Sequence, residues 1–599
     1  MIRRRFVVTL GGALSQAPKA FGQNPPAIDA AERETAKAVA SDPVLTAIYT
    51  ELLRFKKGAA SLEPPYFVEV TVEDAQMLSL SATLGAAFPP AAQRARPVRV
   101  FVRVGSPQFD NSNSIFTDAS PGTRYDLGRL PVDNSILALR TEIWLALDRA
   151  HRAAVESFGR KRAAVGGITV KDPLPDFWMP QSLAVVEPLN SEKVDRDFWL
   201  SRVKSLSSIF ASEPAITQSS VEFDSSIGTA YLLNTAPSVV RVPDTVAILR
   251  ARASRQAPDG MVVYDGSMMA ALAAGLLPPE EAQRAMVEQV ARNVAALAAA
   301  PLGDPYSGPV LFEGAAAPQI FGQIWGDHLG VTRRPVAEPG RNLPILTSEL
   351  ENRLNARVLP EWVSLVDDPG LKEIDGVPAA GHYRVDIEGV AARRVELVSS
   401  GVLKSLLVSL QPVRGVDGPN GHARLPGSFG VRTPRISNLL FETRQALPAA
   451  ELRKKLVETA AQLGKPYGIV IKKVDFPSFA PPDELRRIGQ RTVRGGGGRP
   501  TAPPLLVYRL YPDGREELVR GLRFRGLGLR SFRDLLAAGG DRTVYNYIDN
   551  GAPLSLVGAG SYVIGCSVTA PSLLFEEVEL ETAAEDLAKP PIVPPPSSV

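Results

Sequence analysis

Two stretches of alternating polarity constrain this chain more than any other feature. From Tyr66 to Ala82, the residues Phe67, Glu69 and Thr71 take turns with Val68, Val70 and Val72, and Pro97 to Val104 repeats the habit with Val98, Val100 and Val102. Successive side chains on a strand point to opposite faces, so this pattern predicts sheet with one buried face. A second strand-rich block, Val221 to Ala253, echoes the first. Between the blocks the period changes. Leu137, Leu139, Ile143, Leu147, Ala150, Ala154 and Phe158 recur at helical spacing within Ser135 to Arg162, whose basic end suits a helix C-terminus. Ala27 to Leu53 and Pro279 to Ala300 also read as helices, the latter opened by Pro-Glu-Glu.

The punctuation shifts at Pro301 to Pro309, where three prolines and two glycines predict a domain boundary. Beyond it we expect a short strand at Val310 to Phe312, helices at Ala315 to Leu329 and Leu346 to Ala356, and antiparallel strands from Tyr383 to Pro412. A helix at Ala449 to Leu463 and a strand at Gly468 to Val474 follow. Strands then flank the Pro-Asp-Gly turn within Leu505 to Gly526, and Ser561 to Glu579 closes the fold as strand. Thr492 to Pro504, rich in Gly and Pro, reads as a loop. A chain of 599 residues exceeds one compact core. The expected class is α+β with two domains: an N-terminal mixed α/β domain over 25–300 and a C-terminal domain rich in antiparallel β-sheet over 301–585. A leader over 1–24 and a disordered Pro-rich tail over 586–599 frame them.

Composition narrows the function classes. The 67 Lys and Arg against 64 Asp and Glu leave +3, a weak field that demands neither nucleic acid nor an acidic membrane as partner. The basic stretches Arg94 to Arg103 and Arg520 to Arg530 interleave charge with apolar residues and read as solvated sheet faces. No segment has 18 consecutive apolar residues, so no membrane span is expected. One cysteine, Cys566, excludes an internal disulfide and a thiolate zinc cluster, and its strand-like setting predicts a buried, inert thiol. The histidines His151, His328, His382 and His422 lie too far apart for a local two-histidine metal motif. His151 and His382 read as surface residues, and His422, after Asn420-Gly, as a turn residue bonding its own loop. Neither a Gly-x-Ser-x-Gly elbow, nor a phosphate-cradling loop, nor a dinucleotide fingerprint occurs. At the start, Arg3-Arg4-Arg5-Phe6 and a short apolar run resemble a twin-arginine export signal. This predicts a periplasmic protein; the alternative is a cytoplasmic protein with a basic N-terminus.

The most informative stretch is Ser307-Gly-Pro-Val-Leu-Phe-Glu-Gly-Ala-Ala-Ala-Pro-Gln-Ile-Phe-Gly-Gln-Ile-Trp-Gly-Asp-His-Leu329. It resembles the TldD/PmbA family of metallopeptidase-type proteins, in which a Gly-Pro-Val strand leads into a helix bearing His-Glu-x-x-x-His. Asp386 to Lys404, Asn420 to Arg424, Pro434-Arg-Ile-Ser-Asn438, Tyr508 to Gly521 and Ala570 to Glu577 are similar to other segments of that family. The resemblance spans roughly 60 to 580 and implies two domains with a peptide-binding cleft between them, and dimers.

In the family the two imidazoles hold zinc and the glutamate activates its water. Here the first histidine falls on Gly322, the glutamate on Gln323 and the second histidine on Asp327, with Gly326 at the break that residues about 140° apart on a helix require. Glycine cannot ligate and glutamine cannot act as a base. The resemblance therefore implies a member that has lost the family zinc, so no cofactor is expected. On packing alone, Ile320, Phe321, Ile324 and Trp325 make the helix a core element. The cleft candidates are Glu313, Gln323, Asp327, His328, His422, Arg435 and Asn438. The implied function is binding of a peptide or unfolded protein segment, as a homodimer or as the non-zinc partner of a zinc-bearing relative. Two alternatives stay open. One is an active hydrolase with a site rebuilt from Glu313, Asp327, His328 and His422; the other is an exported scaffold without catalysis.

Overall fold

The computed structural model describes residues 36–37, 39–58, 63–115, 128–166, 174–213, 215–337, 348–426, 432–476, 501–549 and 564–583, with two isolated positions near the C-terminus. The leader over 1–24, nearly all of the tail over 586–599, the start of the 27–53 helix and most of the 492–504 loop lie outside the described residues.

The alternating stretches are long antiparallel strands. The first half begins with helix α1 (Pro43–Gly58), strands β1 (Pro65–Thr83) and β2 (Pro97–Ser106), and helices α2 (Ile136–Val165) and α3 (Arg196–Ser207). Strands β3 (Gln218–Asn234), β4 (Val239–Gln256) and β5 (Val262–Ala271) then lead to helix α4 (Glu280–Ala299). The strands line up as β5-β4-β3-β1-β2 at the heart of one sheet. Helix α2 starts where Ser135 accepts from the Ala138 amide, supplying a partner to a donor the first turn leaves over.

Register explains how the layers form. Val68, Val70 and Val72 of β1 pack with Leu139, Ile143 and Leu147 of α2 and with Leu45 and Ile48 of α1. Leu80 and Ala82, on the same face of β1, pack with Val203 of α3 and Val287 of α4. All four helices therefore cover one face of the sheet. The opposite face was expected to be solvated, but Phe67 and Glu69 are buried there. The reason is the second half of the chain, which covers that face: Phe67 meets Val390 and Leu410, and Leu232 and Val240 meet Val385.

The second half holds two further large sheets. Its elements are β6 (Tyr306–Phe312), α5 (Ala316–Leu329), β7 (Val363–Asp367), β8 (Val395–Ser399), β9 (Asn438–Thr443), α6 (Ala449–Gln462) and β10 (Gly468–Val474). Next come β11 (Pro504–Leu510), β12 (Glu516–Val519), β13 (Leu522–Arg525), β14 (Thr543–Asp549), β15 (Ile564–Ala570) and β16 (Leu573–Thr582). One sheet runs β12-β11-β10-β6-β16-β13, and the other runs from Val402–Leu403 through β8-β7-β9-β15-β14. All pairs in both are antiparallel except β6 with β10 and β9 with β15.

Helix α5 lies between these sheets. Its Ile320, Phe321 and Trp325 share a core with Val310 and Phe312 on one side and Cys566 and Val568 on the other. Helix α6 covers the far face of the first sheet through Leu452 and Leu456, against Leu311, Val470 and Leu574. Helices on one face of an antiparallel sheet in the first half, and sheets around a helix in the second, make this an α+β protein.

Three local expectations are corrected. Residues 348–356 run as turns instead of a helix: Ser348 Oγ accepts from Leu350 N, and Asn355 takes a positive φ of 64°, which ends any helical run. His151 is buried, with Nε2 2.8 Å from the Glu63 carbonyl and its ring edge-on to Phe55. The basic stretches are only partly solvated. Arg96 is buried on Asp74 and the Pro131 carbonyl, Arg103 on Asp110, and Arg520 on Asp259 and the Ala300 carbonyl.

Candidate functional site

Strand β6 turns into α5 through Glu313 and Gly314, and Gly314 has the positive φ of 56° that the tight turn requires. Glu313 caps no catalytic group. Its two oxygens take Nε and Nη2 of Arg453 at 2.7 and 2.6 Å, and Arg453 also reaches Glu516. At about 1.5 Å of rise per residue, Glu313 sits roughly 20 Å from the far end of the helix.

The two long faces of α5 are both committed to packing. Gln319 and Gln323, four residues apart, present Oε1 to the backbone amides of Val474 and Ala502 at 3.1 and 3.2 Å. Gln323 thus satisfies a buried main-chain donor at the end of the first sheet. Gly322 and Gly326 face the second sheet. A Cβ at Gly322 would stand 3.0 Å from Val568 Cγ2, and one at Gly326 would stand 3.1 Å from Ile436 Cδ1. Both approaches are too tight for an imidazole unless the sheet moves.

At the C-terminal end of α5 polar groups gather. Asp327 Oδ1 accepts from Arg435 Nη1 at 2.9 Å, and Arg435 Nε faces Asp549 Oδ2 at 3.1 Å. Arg435 is buried, and its two carboxylates keep it charged. His328 follows at once: its Nδ1 accepts from the Glu349 amide at 3.2 Å, and its carbonyl accepts from Ser348 Oγ at 2.5 Å. Burial lowers the His328 pKa, against the opposing pull of Asp327 and Glu349, so the ring is held neutral.

His422 belongs to a separate, fully buried network. Its Nδ1 lies 3.0 Å from the Asn420 carbonyl within its own loop, and its Nε2 lies 3.0 Å from Asp367 Oδ1. Asp367 also accepts from Ser437 Oγ and from the Ser437 amide at 2.9 Å. Both ring nitrogens of His422 are therefore engaged. Asn438 donates Nδ2 to the Asp368 and Leu371 carbonyls at 2.8 and 3.1 Å, holding a turn.

Of the seven candidates, the structure brings together Asp327, His328 and Arg435, and adds Asp549. It gives Glu313, Gln323 and Asn438 other hydrogen-bond partners, and directs His422 toward Asp367. Sequence reasoning missed Asp549 and Asp367, for no local signal marks a residue whose partner lies 55 or more positions away. It also missed Asp244, whose carboxyl is pushed up to about 7 by burial and by Glu73, against Arg99 and Arg424.

The residues present do not fit a zinc ion. Gly322 offers no donor atom and no room for one, Gln323 is spent on Ala502, and Asp327 faces a guanidinium at 2.9 Å. Among the described residues no three of His, Cys, Asp and Glu stand close enough to share a metal. Cys566 is fully buried on β15, with Sγ 3.6 Å from Arg424 Nη1, and burial pushes its thiol up to about 12. Only about one molecule in ten thousand would then be thiolate at pH 8. Native protein should resist iodoacetamide, and unfolding in guanidinium should expose the thiol to rapid labelling. Fast alkylation without denaturant would mean that β15 opens readily.

Comparison with known proteins gives three results. Residues 309–473 match the family described as the PmbA/TldA metallopeptidase C-terminal domain. A "Metalloprotease" of Archaeoglobus fulgidus is 40% identical over 96 residues, which are 16% of this chain and 20% of that protein. A "Metalloprotease" of Methanothermobacter thermautotrophicus is 42% identical over 79 residues, 13% of this chain and 16% of that protein. The matched stretches are thus a minor part of both relatives. Among solved structures, TldE of Thermococcus kodakarensis aligns with a TM-score of 0.53 at 11% identity, covering 89% of this chain and 100% of that one. A proposed modulator of a DNA gyrase from Thermotoga maritima aligns with a TM-score of 0.52 at 14% identity, covering 86% and 96%. At such identities the structural matches speak to the fold alone.

Proposed function

Because the chain belongs to the TldD/PmbA family, we propose that it is a peptide-binding member without zinc chemistry, acting as the partner subunit of a zinc-bearing relative. The observation that carries this reading is the state of α5. Its first ligand position, Gly322, is packed against Val568, and its last, Asp327, is ion-paired with Arg435. Loss of ligands does not abolish peptide binding, because an extended peptide can be held by main-chain hydrogen bonds along a sheet edge. One such edge is nearby: β14 pairs only with β15 among the described residues, and it ends at Asp549 next to Arg435. A site rebuilt from Glu313, Asp327, His328 and His422 gains no support from this geometry.

The test is to mix the purified protein with a zinc-bearing relative and follow complex formation by size-exclusion chromatography alongside cleavage of a fluorogenic peptide. A stable complex that cleaves faster than the relative alone is expected. No complex and no change in rate would favour a scaffold instead.

We also propose export, on the strength of Arg3-Arg4 and the apolar run that follows. Replacing both arginines by lysine should keep a tagged protein in the cytoplasm, whereas a wild-type chain that stays there at full length would remove the proposal.

A further inference from the structure

We infer that the cavity at the outer edge of β5 is an apolar side-chain subsite, where a bound peptide buries one large uncharged residue among three methionines. This rests on the peptide-binding reading above and adds the class of residue that the peptide must carry. The cavity holds about 320 Å³ and has walls from both halves of the chain: β5 and α4 from the first, and Lys473 of β10 from the second. It opens to solvent, since Gln289 in its wall is exposed and Met269 and Ala282 are half-buried. Pockets for small organic groups have this size and commonly form where two domains meet.

Position, sulfur and charge define the occupant. Ser267, Met268 and Met269 all line the cavity, although successive residues of a strand face opposite sides, so the cavity wraps the edge of β5. Among the described residues β5 pairs only with β4, so alternate main-chain N–H and C=O groups along that edge have no ladder partner. The main chain of a segment can lie there while one side chain turns inward. The chain has seven methionines, and Met268, Met269 and Met286 bring three of them to this one cavity. A thioether on three rotatable bonds adapts its shape, so such walls accept leucine, methionine or phenylalanine in turn. A cavity of about 150 Å³ already holds a benzene ring, so the largest of these fits. Charge is excluded. Lys473 is the charged residue among the described lining, and its ammonium lies 2.7 Å from Asp265 Oδ1, whose Oδ2 accepts from Asn293 Nδ2 at 2.8 Å. That pair is complete, so a charged side chain would be desolvated here without a counterion.

The test uses full-length protein labelled with carbon-13 at the methionine methyls, and a short fluorescein-labelled peptide of serine and alanine whose central residue is varied. By fluorescence polarisation, leucine, methionine or phenylalanine at the centre should bind roughly 10- to 100-fold tighter than alanine, the scale of burying one such side chain. Glutamate or lysine there should bind no better than alanine. In the methyl spectrum the leucine peptide should shift Met268, Met269 and Met286, and leave Met77, three strands away on β1, in place. Met286→Trp, which fills the cavity, should bring the leucine peptide down to the alanine level. Binding that prefers leucine without moving these three methyls would place the subsite elsewhere and overturn this inference alone. Binding indifferent to the central residue, or stronger with a charged one, would do the same. No binding of any peptide to the wild type would overturn the peptide-binding reading and this inference with it. The methyl shifts are read on the wild type, so poor folding of the tryptophan variant cannot mask the answer.

Discussion

Trp325→Ala is expected to destabilise the protein by roughly 3 to 5 kcal/mol in a denaturant melt, the range for emptying a buried aromatic site. Trp325 is fully buried, with its ring 6.1 Å from both Phe321 and Phe532, and Phe321 in turn meets Phe441 edge-on. These rings tie α5 to both sheets. The indole Nε1 finds no acceptor among the described residues, so the residue serves by volume and not by hydrogen bonding. Trp325→Phe should therefore cost about 1.5 kcal/mol or less. His328→Ala, three residues on and half-buried, should cost about 1 kcal/mol or less, since it loses one weak bond to Glu349 N. A tryptophan substitution as mild as the histidine one would refute the view that α5 is a packing element first.

Arg432→Met should cost a similar ~3 to 5 kcal/mol, by a different cause. Arg432 crosses from the second half of the chain to the first: it pairs with Glu69 of β1, stacks 3.5 Å from the Phe101 ring, and lies 3.9 Å from Glu388. Removing it leaves two buried carboxylates without their cation. Burial already raises the Glu388 pKa while Arg432 opposes the rise, so the loss of Arg432 lifts it further. A carboxyl with a raised folded-state pKa favours the folded state below its unfolded value, and that contribution is lost as pH climbs through the folded value. The defect of Arg432→Met should accordingly grow as pH climbs through the raised folded-state value of Glu388 and shrink as pH falls toward the ordinary glutamate range. A defect independent of pH would point to lost packing over Phe101 instead.

The strands and helices were legible because their signals are local. Alternation marked β1 and β2, helical spacing marked α2, and β10 spans the residues read from sequence, Gly468 to Val474. What stayed hidden depends on partners distant in the chain. The alternation at Glu69 signalled an exposed face, and only the second half of the chain, including Arg432 363 positions later, makes that face an interior one. His422 could be read as a turn residue from Asn420-Gly421, but its bond to Asp367 could not. The loss of zinc ligands was visible as letters. That Val568 fills the space beside Gly322, and that Arg435 takes hold of Asp327, required the fold.

The central claim is that this member of the family binds peptide without zinc chemistry. A catalytic zinc needs three protein ligands, an open position for water and a base, and the motif positions Gly322, Gln323 and Asp327 supply at most the carboxylate of Asp327, already held by Arg435. The direct measurement is elemental analysis of the purified protein, paired with a fluorogenic peptide assay on the same sample, with and without chelator. The account predicts far less than one zinc per chain, peptide binding, and no turnover. Stoichiometric zinc with chelator-sensitive cleavage by the protein alone, abolished by Asp327→Ala or His328→Ala, would contradict it.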